Sequence, residues 1–187
     1  MPRVLFYVQH LLGIGHLKRA TTLARAMSAN GLDVTIVSGG EFVPVIDDSG
    51  MEFVQLPAIR AADRTFSGLV DGEGIAVSDA LIQQRRDQLL SLFFNLSPQI
   101  LMVELFPFGR RQLKFELIPF LDAAKAAEPK PVIVSSVRDI LVEKNKSQRE
   151  EDMVNKAKAY FDHILVHGDP NFISFDQTFP RAAELDH

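Results

Sequence analysis

The stretch Val4-Leu5-Phe6-Tyr7-Val8-Gln9-His10-Leu11-Leu12-Gly13-Ile14-Gly15-His16-Leu17-Lys18-Arg19-Ala20 decides how this chain is read. Val4–Val8 is an unbroken apolar run, as expected of a strand covered on both faces. Gln9–Gly15 is a glycine-containing turn. From His16 onward, apolar residues fall at Leu17, Ala20, Leu23, Ala24 and Met27, one face of a helix that Asn30-Gly31 stops.

The same alternation continues outward from that opening. Val34–Val37 reads as a second strand, closed by Ser38-Gly39-Gly40, and Phe42–Asp48 as a short helix. Phe53–Leu56 is a third strand, stopped by Pro57. Asp79–Asn95 is a helix and Ile100–Val103 a fourth strand. Arg110–Ala127 is helical, with Pro119 expected either to kink it or to start a second helix. Val132–Val137, the helix Ser147–Phe161 and the strand His163–His167 follow. Asp169-Pro170 pairs an N-cap with proline at a first helical position, so a last helix is expected to begin there. This alternation predicts an α/β fold: a Rossmann-like three-layer sandwich whose mostly parallel sheet has about six to seven strands. Between the third strand and the next helix, Ile59–Ser78 mixes charges with glycines and reads as a long loop, functional or disordered.

Composition bounds the possibilities. At 187 residues, 47% apolar and 24% charged, the chain is expected to be one folded domain with a sizeable core. A net charge of −4 argues against a nucleic-acid partner. Cysteine is absent, which excludes disulfides, thiolate zinc sites and cysteine nucleophiles. No apolar run approaches the ~18 residues of a membrane span. Val4–Val8 is too short for a secretory core. The expected address is the cytoplasm, with attachment to the inner face of the membrane left open.

In parallel sheets ligands bind beyond the carboxyl ends of the strands, so the loop after the first strand is the first place to look. Gly13 and Gly15 would let a ligand approach the backbone, and the helix starting near His16 would aim its free N–H groups at it. A dinucleotide fingerprint fails, because Lys18 stands where a third glycine is needed and no acidic residue closes the second strand. A phosphate-loop G-K-[ST] is missing too. His16 at a helix start is disfavoured as a cation by the dipole and is therefore suited to accept a proton from a hydroxyl. The alternative is a histidine that merely hydrogen-bonds a loop carbonyl. Glu104 and Asp139 stand at strand carboxyl ends and face the same cleft, either orienting a histidine or capping and pairing with Arg110, Arg111 and Arg138. Arg85 and Arg86 read as a solvated helix face. His163 and His167 bracket a strand and would lie about 13 Å apart along it, so no shared metal is expected.

Gly13-Ile14-Gly15-His16-Leu17-Lys18-Arg19-Ala20, between a first strand and an amphipathic helix, resembles the glycine–histidine loop of GT-B glycosyltransferases, and most nearly that of family 28. Glu104-Leu105-Phe106-Pro107-Phe108-Gly109-Arg110-Arg111, Ser135-Ser136-Val137-Arg138-Asp139-Ile140 and Val166-His167-Gly168-Asp169-Pro170 add to the likeness with a bacterial branch of predicted glycosyltransferases. Leu11, Leu12 and Ile14 replace the small residues common in family 28 loops. The resemblance spans essentially the whole chain and implies a single amino-terminal, acceptor-side GT-B domain over residues 1–187. It implies transfer of a sugar from a nucleotide-diphosphate sugar, a UDP-sugar in the first instance, to an acceptor hydroxyl. His16, Glu104 and Asp139 become the catalytic candidates. Gly13, Gly15, Lys18, Arg19, Arg110 and Arg138 become the ligand-binding ones, with no metal.

No glycine-rich donor turn follows His167, so a carboxyl-terminal donor domain or a complementing subunit is expected as partner, and the chain is expected to be inactive alone. A non-catalytic partner subunit and a free-standing nucleotide or metabolite binder are the alternatives. Asp71-Gly72-Glu73, an acid-x-acid triplet, reads as solvated loop. Phe172, Phe175 and Phe179 are expected to form an apolar patch through which the chain dimerises.

Overall fold

The computed structural model describes residues 1–44, 50–141, 147–169 and 171–185. In chain order the elements are β1 (Arg3–Val8), α1 (Gly15–Ala29), β2 (Asp33–Ser38), β3 (Glu52–Gln55), β4 (Ile59–Ala61) and β5 (Leu69–Asp71). They continue with α2 (Asp79–Leu96), β6 (Ile100–Glu104), α3 (Lys114–Ala126), β7 (Val132–Arg138), α4 (Ser147–Tyr160), β8 (His163–His167) and the one-turn α5 (Phe175–Thr178). Six strands form one parallel sheet in the order β3-β2-β1-β6-β7-β8. The chain steps outward from β1 to β3, returns to β6 beside β1, and steps outward the other way to β8. The winding direction therefore reverses between β1 and β6, the place where open parallel sheets bind ligands.

The apolar strand runs follow from burial on both faces. Leu5 and Tyr7 join Leu101, Val103 and Ile133 in a core covered by Leu89 and Phe93 of α2 and by Leu117, Phe120 and Leu121 of α3. Val4, Phe6 and Val8 point the other way, onto Leu17, Ala20 and Ala24 of α1. The strand period of two sends alternate residues to the two layers. Leu17 is 1% exposed at the centre of the second layer, and its truncation to alanine would cost about 2–5 kcal/mol. α1 stops as expected, with Gly31 at φ +85°. A third cluster gathers Phe108, Val137 and α4's Met153, Val154 and Ala157 around Phe179.

Several expectations are corrected. Ile59–Ser78 is not an unstructured loop. β4 and β5 pair antiparallel, Ile59 opposite Asp71 and Ala61 opposite Leu69. Asp63 accepts hydrogen bonds from Ser67 and Thr65 at the hairpin tip. Asp71 accepts from the N–H groups of Glu73 and Ile75, so its part in the acid-x-acid triplet is a turn.

Pro119 does not start a second helix. It lies inside one helix, and the Phe115 carbonyl its missing N–H cannot reach accepts instead from Arg86 Nε at 3.0 Å. Arg85 is not solvated but fully buried. The last helix does not begin at Asp169. Asp169 forms a turn with Asn171, Phe172 and Ile173, and α5 starts later. Phe179 is fully buried against Phe108 and Phe175, with ring centroids 5.2 and 5.7 Å away. The expected aromatic patch is thereby reduced, with Phe172 strongly exposed. The helix expected over Phe42–Asp48 and the Pro170 of the expected cap fall wholly or partly outside the described residues.

Candidate functional site

Two adjacent strands and one helix build the site. Glu104 is the last residue of β6, and His16 is the second residue of α1, which follows β1 across the reversal point. His16 Nδ1 lies 2.7 Å from Glu104 Oε1. A carboxylate only accepts, so Nδ1 carries a proton, and in the neutral ring that leaves the lone pair on Nε2. Arg19, one turn further along α1, places Nη2 on the same Glu104 oxygen at 2.6 Å. The two donors stand 3.4 Å apart. Glu104 is 1% exposed while His16 is 24% exposed: the carboxylate is sealed under the imidazole, which reaches solvent. Burial pushes the Glu104 carboxyl up, but the hydrogen bond and charge of His16 and the charges of Arg110 and Arg19 outweigh it and hold its pKa below the ordinary value.

The other expected residues fall less closely. Gly13 and Gly15 are exposed, and a Cβ at either would meet open space, so their smallness serves no packing within the chain. Lys18 is exposed. Arg110 follows β6 with φ +59°, and its charge acts on both Glu104 and His10. Arg138 donates to the neighbouring Ile140 carbonyl at 2.6 Å. Asp139 makes no hydrogen bond to His16 among the described residues. Its N–H donates to the His167 carbonyl, its carbonyl accepts from Thr178, and its carboxylate packs against Gly168, where no Cβ would fit. The structure thus brings His16, Arg19 and Glu104 together, with Arg110 within electrostatic reach.

Two histidines not expected as site residues stand at it. His167 ends β8 with Nε2 2.8 Å from Ser136 Oγ. Its pKa is lowered by burial and then by the charge of Arg19, against the pull of Glu104, which places it in the field of the same cluster. His10, just past β1, is 5% exposed. Burial and the charge of Arg110 lower its pKa. Both stand just where strands end, the signal that identified Glu104.

A buried polar network joins β1 to α2 and α3 on the other face of the sheet from α1. Arg85 and Glu116 are both fully buried and bidentate, at 2.8 and 2.7 Å. The remaining guanidinium N–H groups reach the Gly39 carbonyl at 2.9 Å, the Pro57 carbonyl, and Gln9 Oε1 at 3.0 Å. Tyr7 donates to Glu116 Oε1 at 2.5 Å. Burial disfavours the Arg85 charge, but the Glu116 carboxylate outweighs it and raises the pKa. Burial and the Glu116 charge hold the Tyr7 hydroxyl protonated. Gly39 leaves no room for a side chain against Gln9 and Arg85.

Among the described residues, no three His, Asp or Glu side chains converge as a metal ion requires, and no helix is long and apolar enough to cross a membrane. A cavity of about 860 Å³ between α4, β8 and the last turns contains none of the expected site residues. The chemistry-bearing groups lie instead at the strand ends.

No protein-family profile and no curated protein matches the sequence. Solved structures do match. The Streptomyces sp. SF2575 glycosyltransferase SsfS6, complexed with thymidine diphosphate, superposes on 89% of this chain and 48% of its own, with TM-score 0.53 and 16% identity. Acinetobacter baumannii MurG covers 90% of this chain and 42% of its own, at 0.52 and 9%. The calicheamicin glycosyltransferase CalG4 covers 95% and 50%, at 0.51 and 14%. The fold is that of one half of a GT-B glycosyltransferase. The chain spans about half the length of these enzymes, and at such identities the likeness is one of fold.

Proposed function

We propose that the chain is the amino-terminal, acceptor-side half of a nucleotide-sugar-dependent glycosyltransferase, in which His16 is the general base. The observation that carries this is the His16–Glu104 pair at the reversal point of the sheet. The acceptor hydroxyl gives its proton to His16 Nε2 as its oxygen bonds to the anomeric carbon. The bond to the nucleoside diphosphate breaks, and that group leaves with the electron pair, inverting the anomeric centre. Glu104, already ionised, offsets the charge that forms on the imidazole. Arg19 fixes the carboxylate.

The donor, a UDP- or TDP-sugar, is held by a second, donor-binding half, and Lys18, Arg110 and Arg138 border the acceptor side. In the assembly carrying both halves, nucleoside diphosphate release from these donors reads the reaction. His16→Ala lowers turnover about 10²–10⁴-fold. An unchanged rate would remove His16 from this role.

A further inference from the structure

A second feature of the same strand-end surface is not used by that chemistry. His10, Leu11 and Leu12 from the loop after β1, Glu41 beyond β2, and Arg60 and Ala61 from the hairpin enclose a cavity of about 310 Å³. That is the lower end of the usual range for ligand sites, about 300–1,000 Å³. His10 forms one wall. Its Nδ1 is buried and has no hydrogen-bond partner among the described residues. The backbone and the charge of Glu41 also act on the ring. Burial and the nearby Arg110 favour the neutral ring. A buried polar nitrogen without a partner costs about 1–3 kcal/mol, so a native fold keeps one where something is to fill it.

The rim defines what that something is. Arg60 Nε and Glu41 Oε1 pair at 3.0 Å across the mouth, both partly exposed. Among the lining side chains the charges of Arg60 and Glu41 balance, Arg60 offering donors and Glu41 acceptors. Leu12, 53% exposed, supplies an apolar lip. Such a surface suits hydroxyl groups on a ring with an apolar face.

The walls are built in advance. Gln9 Nε2 holds the His10 and Ile59 carbonyls, each at 2.9 Å, and Gln9 is itself held by Arg85. Ala61 N–H donates to the Leu11 carbonyl at 3.0 Å. Gly40 lies flat on the imidazole, where a Cβ would collide with the ring.

We infer that this cavity is a subsite for an uncharged, polyhydroxylated ring of the acceptor, a sugar or polyol, with one ligand hydroxyl hydrogen-bonded to His10 Nδ1. His10 precedes His16 on the same loop, so an acceptor with its reacting hydroxyl at His16 reaches the cavity with its remaining hydroxyls. As a statement about the acceptor this rests on the transfer reading, but binding can be tested without it.

The test is a long-range proton–nitrogen spectrum of the histidine rings in the full chain. It is titrated with neutral methyl glycosides, with myo-inositol and, separately, with inorganic phosphate, at tens of millimolar. The His10 signals are assigned by their loss in His10→Phe. Expected is a saturable shift of His10 Nδ1 with the glycosides or inositol, the two series telling sugar from polyol. The rim variant Arg60→Ala should weaken that binding about tenfold by losing one hydrogen-bond donor.

No movement of Nδ1 with any neutral ligand overturns the proposal, as does a stronger response to phosphate. Donor turnover that fails while glycosides still bind removes the transfer reading and leaves the subsite. Turnover that survives with an acceptor KM unchanged in Arg60→Ala removes the subsite and leaves His16.

Discussion

Arg85→Met should be among the costliest single changes in the chain. All five guanidinium N–H groups are used, on Glu116 twice, on Gln9, and on the carbonyls of Gly39 and Pro57. Methionine keeps most of the volume, so the loss is electrostatic rather than a cavity. It leaves the fully buried Glu116 carboxylate with Tyr7 alone, and breaking a buried pair in this way costs about 3–5 kcal/mol. Two backbone carbonyls and the Gln9 amide also lose a donor. For a domain of this size, that corresponds to a fall in Tm of about 6–20 °C. Glu116→Gln should be costly as well, because it strands the cation. The double variant should be less unstable than the sum of the singles by about 0.5–3 kcal/mol, since neither charge is then left alone. The assay is urea unfolding followed by circular dichroism, the chain having no tryptophan. A loss below about 1 kcal/mol in Arg85→Met, or strict additivity in the double variant, would refute a coupled buried pair.

Gly39→Ala should destabilise by about 1–3 kcal/mol, because the new methyl group collides with the Gln9 amide and the Arg85 guanidinium; thermal melts measure it, and a neutral effect would mean those groups have room to move. Glu104 has its folded pKa depressed, so its contribution is full above the unfolded value of about 4.3 and is lost as pH falls through the lower folded value. The stability gap between wild type and Glu104→Gln should therefore close below about pH 4, and a gap that stays constant from neutral pH into that range would contradict an ionised, hydrogen-bonded carboxylate. Arg86→Leu should cost about 1 kcal/mol by leaving the Phe115 carbonyl without a donor. In a Pro119→Ala background most of that cost should vanish, because the restored N–H reaches the same carbonyl; an equal cost in both backgrounds, read by denaturant unfolding, would show that Arg86 acts otherwise.

What could be read in the sequence was what repeats locally. β1, β2, β6 and β7 are short apolar runs because both faces are covered, and α1 shows its buried stripe at Leu17, Ala20 and Ala24. His16 and Glu104 were legible because strand ends of a parallel sheet converge on one edge, whatever the intervening sequence. Arg85 was not legible. Set among Gln83, Gln84, Arg86 and Asp87, it has the look of a wet helix face, and the carboxylate that lets it be buried is 31 positions away. The His167–Ser136 contact likewise joins residues 31 apart. The β4–β5 hairpin was hidden by its brevity, three residues to a strand, which leaves no room for an alternating pattern to declare itself. Phe179 read as surface because it lies near the chain end, although Phe108 was waiting to receive it.

The reach of Arg85 has a bearing on how such a fold can diversify. One side chain ties the segments leaving β1, β2 and β3 through Gln9, Gly39 and Pro57. Those three exits cannot be redrawn one at a time, since altering any of them disturbs the others through a shared, dry anchor. Novelty in what the cleft accepts must then arise outside the tether, at Leu12–Ile14 and at the exposed hairpin tip around Asp63–Ser67, where side chains face solvent and exchange cheaply. The molecule thus separates a frame that resists tinkering from a fringe that invites it.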